Sequence, residues 1–190
     1  IGQGQYGSVY RGLYTPSDGK KKGTTVAIKF FKTSGLQDGS FEEVKKEFHI
    51  MSLIKSPHVV QVFGLCCPKN NEKIMLVMEY CKHGSLHHLL NQEGRQLSWK
   101  RVHRFTRESA MGLQCLHEWR PQILHRDIKT HNMLVSKNLH IKISDFGTSR
   151  LNTEGLRASN RRMVGTVAYS APETFKGNFT DKCDIYSLGM

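Results

Sequence analysis

Residues 123–147 read ILHRDIKTHNMLVSKNLHIKISDFG, and the fold class turns on how this stretch is understood. It holds two aspartates, Asp127 and Asp145, with Asn132 between them and Lys129 two places after the first. Apolar runs on either side of SKN predict short strands at 132–135 and 140–143. Two ionised carboxylates brought close together require a cation beside them. Asp145 and Asn132 offer the hard carboxylate and amide oxygens that suit Mg2+, which leaves Asp127 free to accept a hydroxyl proton. Lys129 can neutralise charge that develops on a transferred phosphate. Metal, base and cation together describe phosphoryl transfer.

Upstream, GQGQYG places Gly2, Gly4 and Gly7 in a G-x-G-x-x-G pattern. Such glycines fit a dinucleotide-binding turn, a phosphate-covering loop or a tight hairpin. A dinucleotide fold needs a helix immediately afterwards, whereas SVYRGLY alternates apolar and polar residues and contains Gly12, which suits a strand. Asp18, at a distance that tempts a ribose contact, sits in the turn tetrapeptide PSDG. The glycines are therefore expected to let a hairpin backbone approach phosphates without Cβ obstruction. In TTVAIKFF, Lys29 closes an apolar strand, so it either meets an anion or snorkels to water. Glu47 stands on the polar side of the next segment, FEEVKKEFHIMSLIK, and can pair with it. There Phe41, Val44, Phe48, Met51 and Ile54 recur at three- and four-residue spacing, which predicts an amphipathic helix.

VVQVFGLCC and KIMLVMEY read as further strands. After KHGS the pattern turns helical, and SWKRVHRFTRESAMGLQCLHEW sets Val102, Phe105, Ser109, Leu113 and Leu116 on one face with Ser98 as N-cap. A polar loop is expected from 148 to 163, and DKCDIYSLGM starts another helix. The layout is a small strand-rich part, a connector and a larger helical part, with a cleft between them as the expected ligand site.

Composition narrows the partners. With 38% hydrophobic residues, the 190-residue chain can bury a core. Its formal charge of +12, from 28 Lys and Arg against 16 Asp and Glu, attracts anions. The charge is scattered along the sequence, with tight clusters only at Lys20–Lys22 and Arg161–Arg162 and no aromatic interleaving, which argues for a solvated surface and against nucleic acid. Five cysteines, an odd number without any C-x-x-C pair, point to reduced thiols and a cytoplasmic or nuclear compartment. The longest apolar stretch, Ile74 to Met78, is too short for a membrane span. Beginning at Ile1 without an initiator Met and stopping at Met190 in an apolar segment, the chain reads as a fragment, expected to aggregate or stay partly unfolded by itself.

The ordered set IGQGQYGSV, VAIK, HRDIKTHN, DFG and APE resembles the eukaryotic protein kinase domain over essentially the whole chain. The resemblance implies an α+β bilobal fold, with a β-rich N-lobe and hinge over 1–82 and a partial, helical C-lobe over 83–190. It implies ATP and Mg2+ as cofactors. By matched position, Lys29 binds the α/β-phosphates and Glu47, favoured over Glu43 by its spacing from KSPHVV, orients it. Asp127 resembles the catalytic base, Asn132 and Asp145 the magnesium ligands, Lys129 the phosphate-contacting lysine, and Thr166 the threonine that hydrogen-bonds base and lysine. Ile1, Gly2, Gly4 and Gly7 belong to the loop over the phosphates. Val9, Ala27 and Leu134 sandwich the adenine, Met78 gates the back of its pocket, and Glu79 and Cys81 offer it backbone groups. His125, Phe146, Met51 and Val62 match positions that stack apolar side chains in active kinases.

Lys129 and GTVAYSAPE resemble serine/threonine kinases, while HVVQVFGLC and MEYCKHGSLHHLL look tyrosine-kinase-like. That mixture is similar to the tyrosine-kinase-like group, which includes mixed-lineage and receptor-interacting kinases, and it implies serine and threonine hydroxyls of protein substrates as acceptors. The alternatives are an ATP-binding scaffold and a dual-specificity or tyrosine kinase. Residues 145–173 match the activation loop, where Thr148, Ser149, Thr153 or Ser159 would carry a phosphate ordered by Arg126, placed there by an upstream kinase or by self-association. The chain departs from the family pattern at SPH and in a basic insertion at 15–24, and Glu173 of APE has no identifiable partner in the sequence.

Overall fold

The computed structural model describes residues 2–4, 7–15, 23–32, 40–67, 73–92, 97–152 and 165–190. The chain forms two compact units, one of Ile1–Leu53 with Val60–Cys81, the other of Ile54–Val59 with Lys82–Met190. Residues 54–59, which a single cut at 82 would leave in the first part, thus pack with the second unit.

In the first unit, β1 (Gly2–Gly4), β2 (Gly7–Tyr14), β3 (Thr24–Lys32), β4 (Val62–Cys66) and β5 (Lys73–Glu79) form one antiparallel sheet in the order β1-β2-β3-β5-β4. Gly2 pairs with Val9 and Gly4 with Gly7, so the three glycines form a hairpin, as the alternation after them predicts, and no helix follows. Register decides which side chains share a face. Val9 lies opposite Lys29, Lys29 opposite Leu76, and Ala27 opposite Met78. Because strand side chains alternate with period two, these five project from one face of the sheet. α1 (Ser40–Leu53) buries Val44 and Met51, two of the residues its spacing predicts, leaves Phe48 half-buried, and also buries Ile50 and Glu47.

In the second unit the long helix α3 (Trp99–His117) buries Phe105, Ser109, Leu113 and Leu116, four of the five residues expected on its inner face. Ser98 holds the N-cap position with extended backbone, but its hydroxyl makes no cap hydrogen bond. α2 (Leu86–Gln92) precedes α3, and α4 (Asp181–Gly189) closes the chain. Two small antiparallel pairs complete the unit, β6 (Gln122–Leu124) with β9 (Arg150–Asn152) and β7 (Met133–Val135) with β8 (Ile141–Ile143). β9 corrects the expectation of an uninterrupted loop from 148 to 163, since its first described residues pair with β6. Residues 153–164 lie outside the described residues. The 54–59 turn lies against α3, and an added Cβ on Gly112 would stand 2.8 Å from the His58 carbonyl oxygen.

Candidate active site

The first unit contributes a buried ion pair. Lys29 Nζ stands 3.0 Å from Glu47 Oε1, with the side chains 12% and 5% exposed. A lysine that closes an apolar strand has therefore met its anion and does not snorkel. The Phe31 ring, on the same sheet face, lies 5.0 Å from the ammonium. Pairing this deep fixes a charge in one place, and removing either partner would be costly to the other. Ala27, Met78 and Cys81 are buried and Val9 half-buried. The Glu79 backbone N–H donates to Gln61 O at 2.8 Å, so that donor is committed within the unit. Gly2, Gly4 and Gly7 form the hairpin backbone. Ile1 lies outside the described residues.

The second unit gathers the residues of the opening stretch. β6 leads into residues 125–132 and β7 leads out of them, so both ends of the segment are held by sheet pairing. Asp127 Oδ2 stands 2.7 Å from Lys129 Nζ and accepts from Asn132 Nδ2 at 2.9 Å; Oδ1 accepts from Thr166 Oγ1 at 2.9 Å. Lys129 Nζ also donates to Thr166 Oγ1 at 2.7 Å, which closes a triangle of base, cation and hydroxyl. Burial of Asp127 favours the neutral acid, but hydrogen bonds from Lys129, Thr166 and Asn132 and the lysine charge outweigh it and hold the carboxyl below the ordinary aspartate value.

Asn132 spends its amide NH2 on Asp127, bonding the backbone oxygen at 2.8 Å as well as the carboxylate. Its Oδ1 is the atom it can turn to a cation. The Asn132 backbone carbonyl accepts from Ser144 N and Oγ at 2.9 and 3.0 Å, which sets Asp145 beside it. Asp145 has φ of 64°, a left-handed conformation that a non-glycine residue adopts at a cost of about 1–3 kcal/mol and that re-aims its side chain. An amide oxygen and a carboxylate, with no group of three or more acidic, His or Cys ligands among the described residues, fit Mg2+, which takes one or two protein oxygens and completes its shell with phosphate and water. Leu134 is half-buried on β7, opposite Lys142.

Asp184, His117 and Gly165 support the site without having been singled out in the sequence, and Arg126 was singled out only as a phosphate-ordering residue. Asp184 of α4 is 1% exposed, and its carboxylate accepts the backbone N–H groups of His125 at 2.9 Å and Arg126 at 2.8 Å. His117 Nε2 stands 2.9 Å from the same carboxylate. Burial raises the Asp184 pKa, but the bond to His117 and the two backbone donors reverse it and leave the group below its ordinary value. Arg126, at φ of 66°, bonds the Thr148 carbonyl through Nε and Nη2 and lies 5.3 Å from the Phe179 ring. Burial, with the neighbouring Arg150 charge, brings its pKa down to about 10, so it stays cationic at neutral pH. Gly165, at φ of 100°, lies where an added Cβ would stand 2.5 Å from Arg126 O; this brings Thr166 onto Asp127.

His125 is fully buried, its Nε2 3.0 Å from Ser144 O and its ring 5.1 Å from Phe146. Its packing is that of a structural histidine. Met51 is buried and Val62 half-buried in the first unit. Glu173, without a partner in the sequence reading, accepts the Cys183 thiol at 3.5 Å. Thr153 and Ser159 lie outside the described residues.

A family model for protein tyrosine and serine/threonine kinases matches residues 1–190. Among curated proteins, a probable serine/threonine-protein kinase of Dictyostelium discoideum is 42% identical over 193 residues, covering 100% of this chain and 22% of the relative. The stress-activated protein kinase alpha of the same organism is 42% identical over 191 residues, covering 100% of the chain and 28% of that protein. Its ankyrin repeat-containing protein kinase A is 38% identical over 191 residues, with 100% and 12% covered. The chain thus spans about a quarter of the length of the first two relatives.

Proposed function

Because the chain belongs to the protein tyrosine and serine/threonine kinase family, we propose that it transfers the γ-phosphoryl group of ATP to serine and threonine hydroxyls of protein substrates. The observation that carries this reading is the triangle of Asp127, Lys129 and Thr166. A threonine bonded to both base and lysine supports a serine/threonine acceptor over tyrosine. The two first relatives named here are also called serine/threonine-protein kinase and stress-activated protein kinase.

In this mechanism Lys29, fixed by Glu47, binds the α- and β-phosphates. The Gly2–Gly7 hairpin covers them with backbone, and Val9, Ala27, Met78, Cys81 and Leu134 take the adenine. Asn132 Oδ1 and the Asp145 carboxylate would hold Mg2+, which when bound neutralises charge on the phosphate oxygens. Asp127 accepts the hydrogen bond of the substrate hydroxyl. That oxygen bonds to the γ-phosphorus, the bond from phosphorus to the β–γ bridging oxygen breaks, and ADP leaves. The hydroxyl proton passes to Asp127. A carboxylate held below its ordinary pKa is a weak base, so its main contribution is to orient the hydroxyl while the proton moves late. Lys129 stabilises the transferred group.

The chain fits the tyrosine-kinase-like group, with receptor-interacting and mixed-lineage kinases, on the segments quoted above. A cytoplasmic setting fits an odd number of cysteines without a C-x-x-C pair, and no helix among the described residues is long and apolar enough to cross a membrane. Arg126 and Arg150, two guanidiniums close enough to lower the Arg126 pKa, support a regulatory phosphate on the segment after Asp145. The test is phosphate transfer from labelled Mg-ATP by the full-length protein beside an Asp127→Asn variant. We expect a loss of about 10²–10⁴-fold in the variant, with the wild-type label on serine or threonine. Wild-type protein that binds ATP yet transfers nothing would be a scaffold, and label on tyrosine would overturn the acceptor assignment.

A further inference from the structure

The first half of α3 is built against the usual rules of helix charge. Lys100, Arg101, Arg104 and Arg107 fall within its first three turns, His103 lies among them, and its first turn has no acidic residue. The helix dipole disfavours cations at that end. Lys100 and Arg104 are like charges at i,i+4, and Arg101 with Arg104 and Arg104 with Arg107 repeat this at i,i+3. The acid that follows, Glu108, is turned inward: Oε1 lies 2.7 Å from His140 Nδ1 and Oε2 accepts the Ile141 N–H at 2.8 Å. Among the described residues, the Arg107 and His103 side chains have no hydrogen-bond or ion-pair partner.

Between this face and the 54–59 turn lies a cavity of about 430 Å³, lined by His58, His103, Arg104, Arg107, Glu108 and Met111. Close contact of Gly112 with the His58 carbonyl fixes the spacing of its walls. His58 is held through that carbonyl, which accepts from Ile143 N at 2.9 Å. Its imidazole Nδ1 is buried and, among the described residues, has no hydrogen-bond partner. A buried polar atom left this way is unfavourable unless something bonds it. Arg104 is pre-positioned by a 3.0 Å bond from Nη2 to Leu139 O, which leaves the other donors of its fork available. Trp99, His103, Arg107 and Met111 follow at four-residue intervals, and Trp99 and Met111 are exposed. The basic wall is therefore bordered along the helix by apolar surface.

We propose that this cavity is a docking site for an acidic peptide segment of a partner protein, with one oxyanion-bearing side chain seated between Arg104, Arg107 and His58. The shared chemistry is that of a carboxylate or phosphorylated serine, which guanidinium forks bind with paired hydrogen bonds. An apolar neighbour in the segment packs on Met111. A bilayer or duplex presents charge as a broad surface, whereas a cavity of this size between Arg104, Arg107 and His58 takes one inserted side chain. The site lies wholly within the second unit and uses none of the residues assigned to phosphoryl transfer.

The test is binding of full-length protein to oriented peptide libraries with randomised flanks and a fixed central Ser, Glu or phosphoserine, read by fluorescence anisotropy. Binding is independent of whether the protein transfers phosphate, so this result and that of the transfer assay stand apart. We expect the Glu or phosphoserine libraries, or both, to bind and the Ser library not to, and the pair of acidic arms tells carboxylate from phosphate. Arg107→Glu and His103→Glu, both at exposed positions, should weaken binding by at least about tenfold while the thermal melt and transfer to a neutral substrate stay unchanged. Raising ionic strength should weaken it further. Equal binding of all three libraries, no binding of the acidic ones, or acidic binding untouched by both variants would overturn the proposal. So would Arg107-dependent binding to phosphatidylserine vesicles or RNA without peptide binding.

Discussion

Thr166 is where one side chain separates positioning from chemistry. Its hydroxyl donates to Asp127 and accepts from Lys129, so removing it takes one bond from each without removing either. Thr166→Ala should lower kcat by roughly tenfold or more, an effect of about 1.4 kcal/mol, with little change in KM for ATP. Thr166→Ser should restore most of the rate, because it keeps the oxygen. Loss of the methyl being as harmful as loss of the hydroxyl would show that Thr166 acts through packing. The base, the lysine beside it, and the amide and carboxylate for the metal were legible in the sequence because the chemistry demands their types, whereas Thr166 was assigned only by the resemblance. Glu108 was not legible. The helical period places it beside Phe105 and Ser109, but a carboxylate is read as outward-facing unless its partner is known, and His140 lies 32 residues on.

At the scale of elements, α4 is tied to the segment it supports by one buried carboxylate. Asp184→Ala would strand the N–H groups of His125 and Arg126 and should cost roughly 3–5 kcal/mol, measured by denaturant unfolding. The pH dependence has a definite sign. Asp184 has a folded pKa below the ordinary 3.8, so its stabilisation is fully present above that value and is lost as pH falls through the folded pKa. Wild-type stability should therefore fall in acid below about pH 4, and in Asp184→Asn this part of the acid dependence should vanish. A wild-type and Asp184→Asn pair with the same acid slope would contradict the assignment. Such ties are invisible in sequence because they join residues 58 and 59 apart. β9 was missed for the same reason: three residues carry no readable period, and only pairing with β6 makes them a strand. The long elements α1, α3, β3 and β5 were legible, since each carries enough turns or alternations to declare its buried face.

For the molecule as a whole, a nucleotide that binds the folded chain and not the unfolded one should stabilise it. Mg-ATP at about a hundred times its Kd would add about 2.7 kcal/mol to the folded state, seen as a rise in Tm. In Asp145→Asn the rise should no longer depend on magnesium, whereas ATP without metal should act on both proteins alike. A magnesium-dependent shift of full size in the variant would remove Asp145 from the metal site. The family resemblance made the architecture readable at this scale from five short motifs, although the chain accounts for only 22% and 28% of the two relatives first compared.

Gly165 carries a consequence for heredity. Its positive φ and the 2.5 Å approach to Arg126 O exclude any side chain, and every missense change of a glycine codon by one nucleotide introduces a Cβ. No allele one step away is silent at the protein level unless it still encodes glycine. A saturation library scored for growth or phosphotransfer should find position 165 depleted of all nineteen replacements, alanine included. Gly64 and Gly189, with nothing within 4 Å of an added Cβ, should accept alanine freely. Alanine alleles at 165 that persist as often as those at 64 would mean that the backbone there yields, and selection would then be free to wander through it.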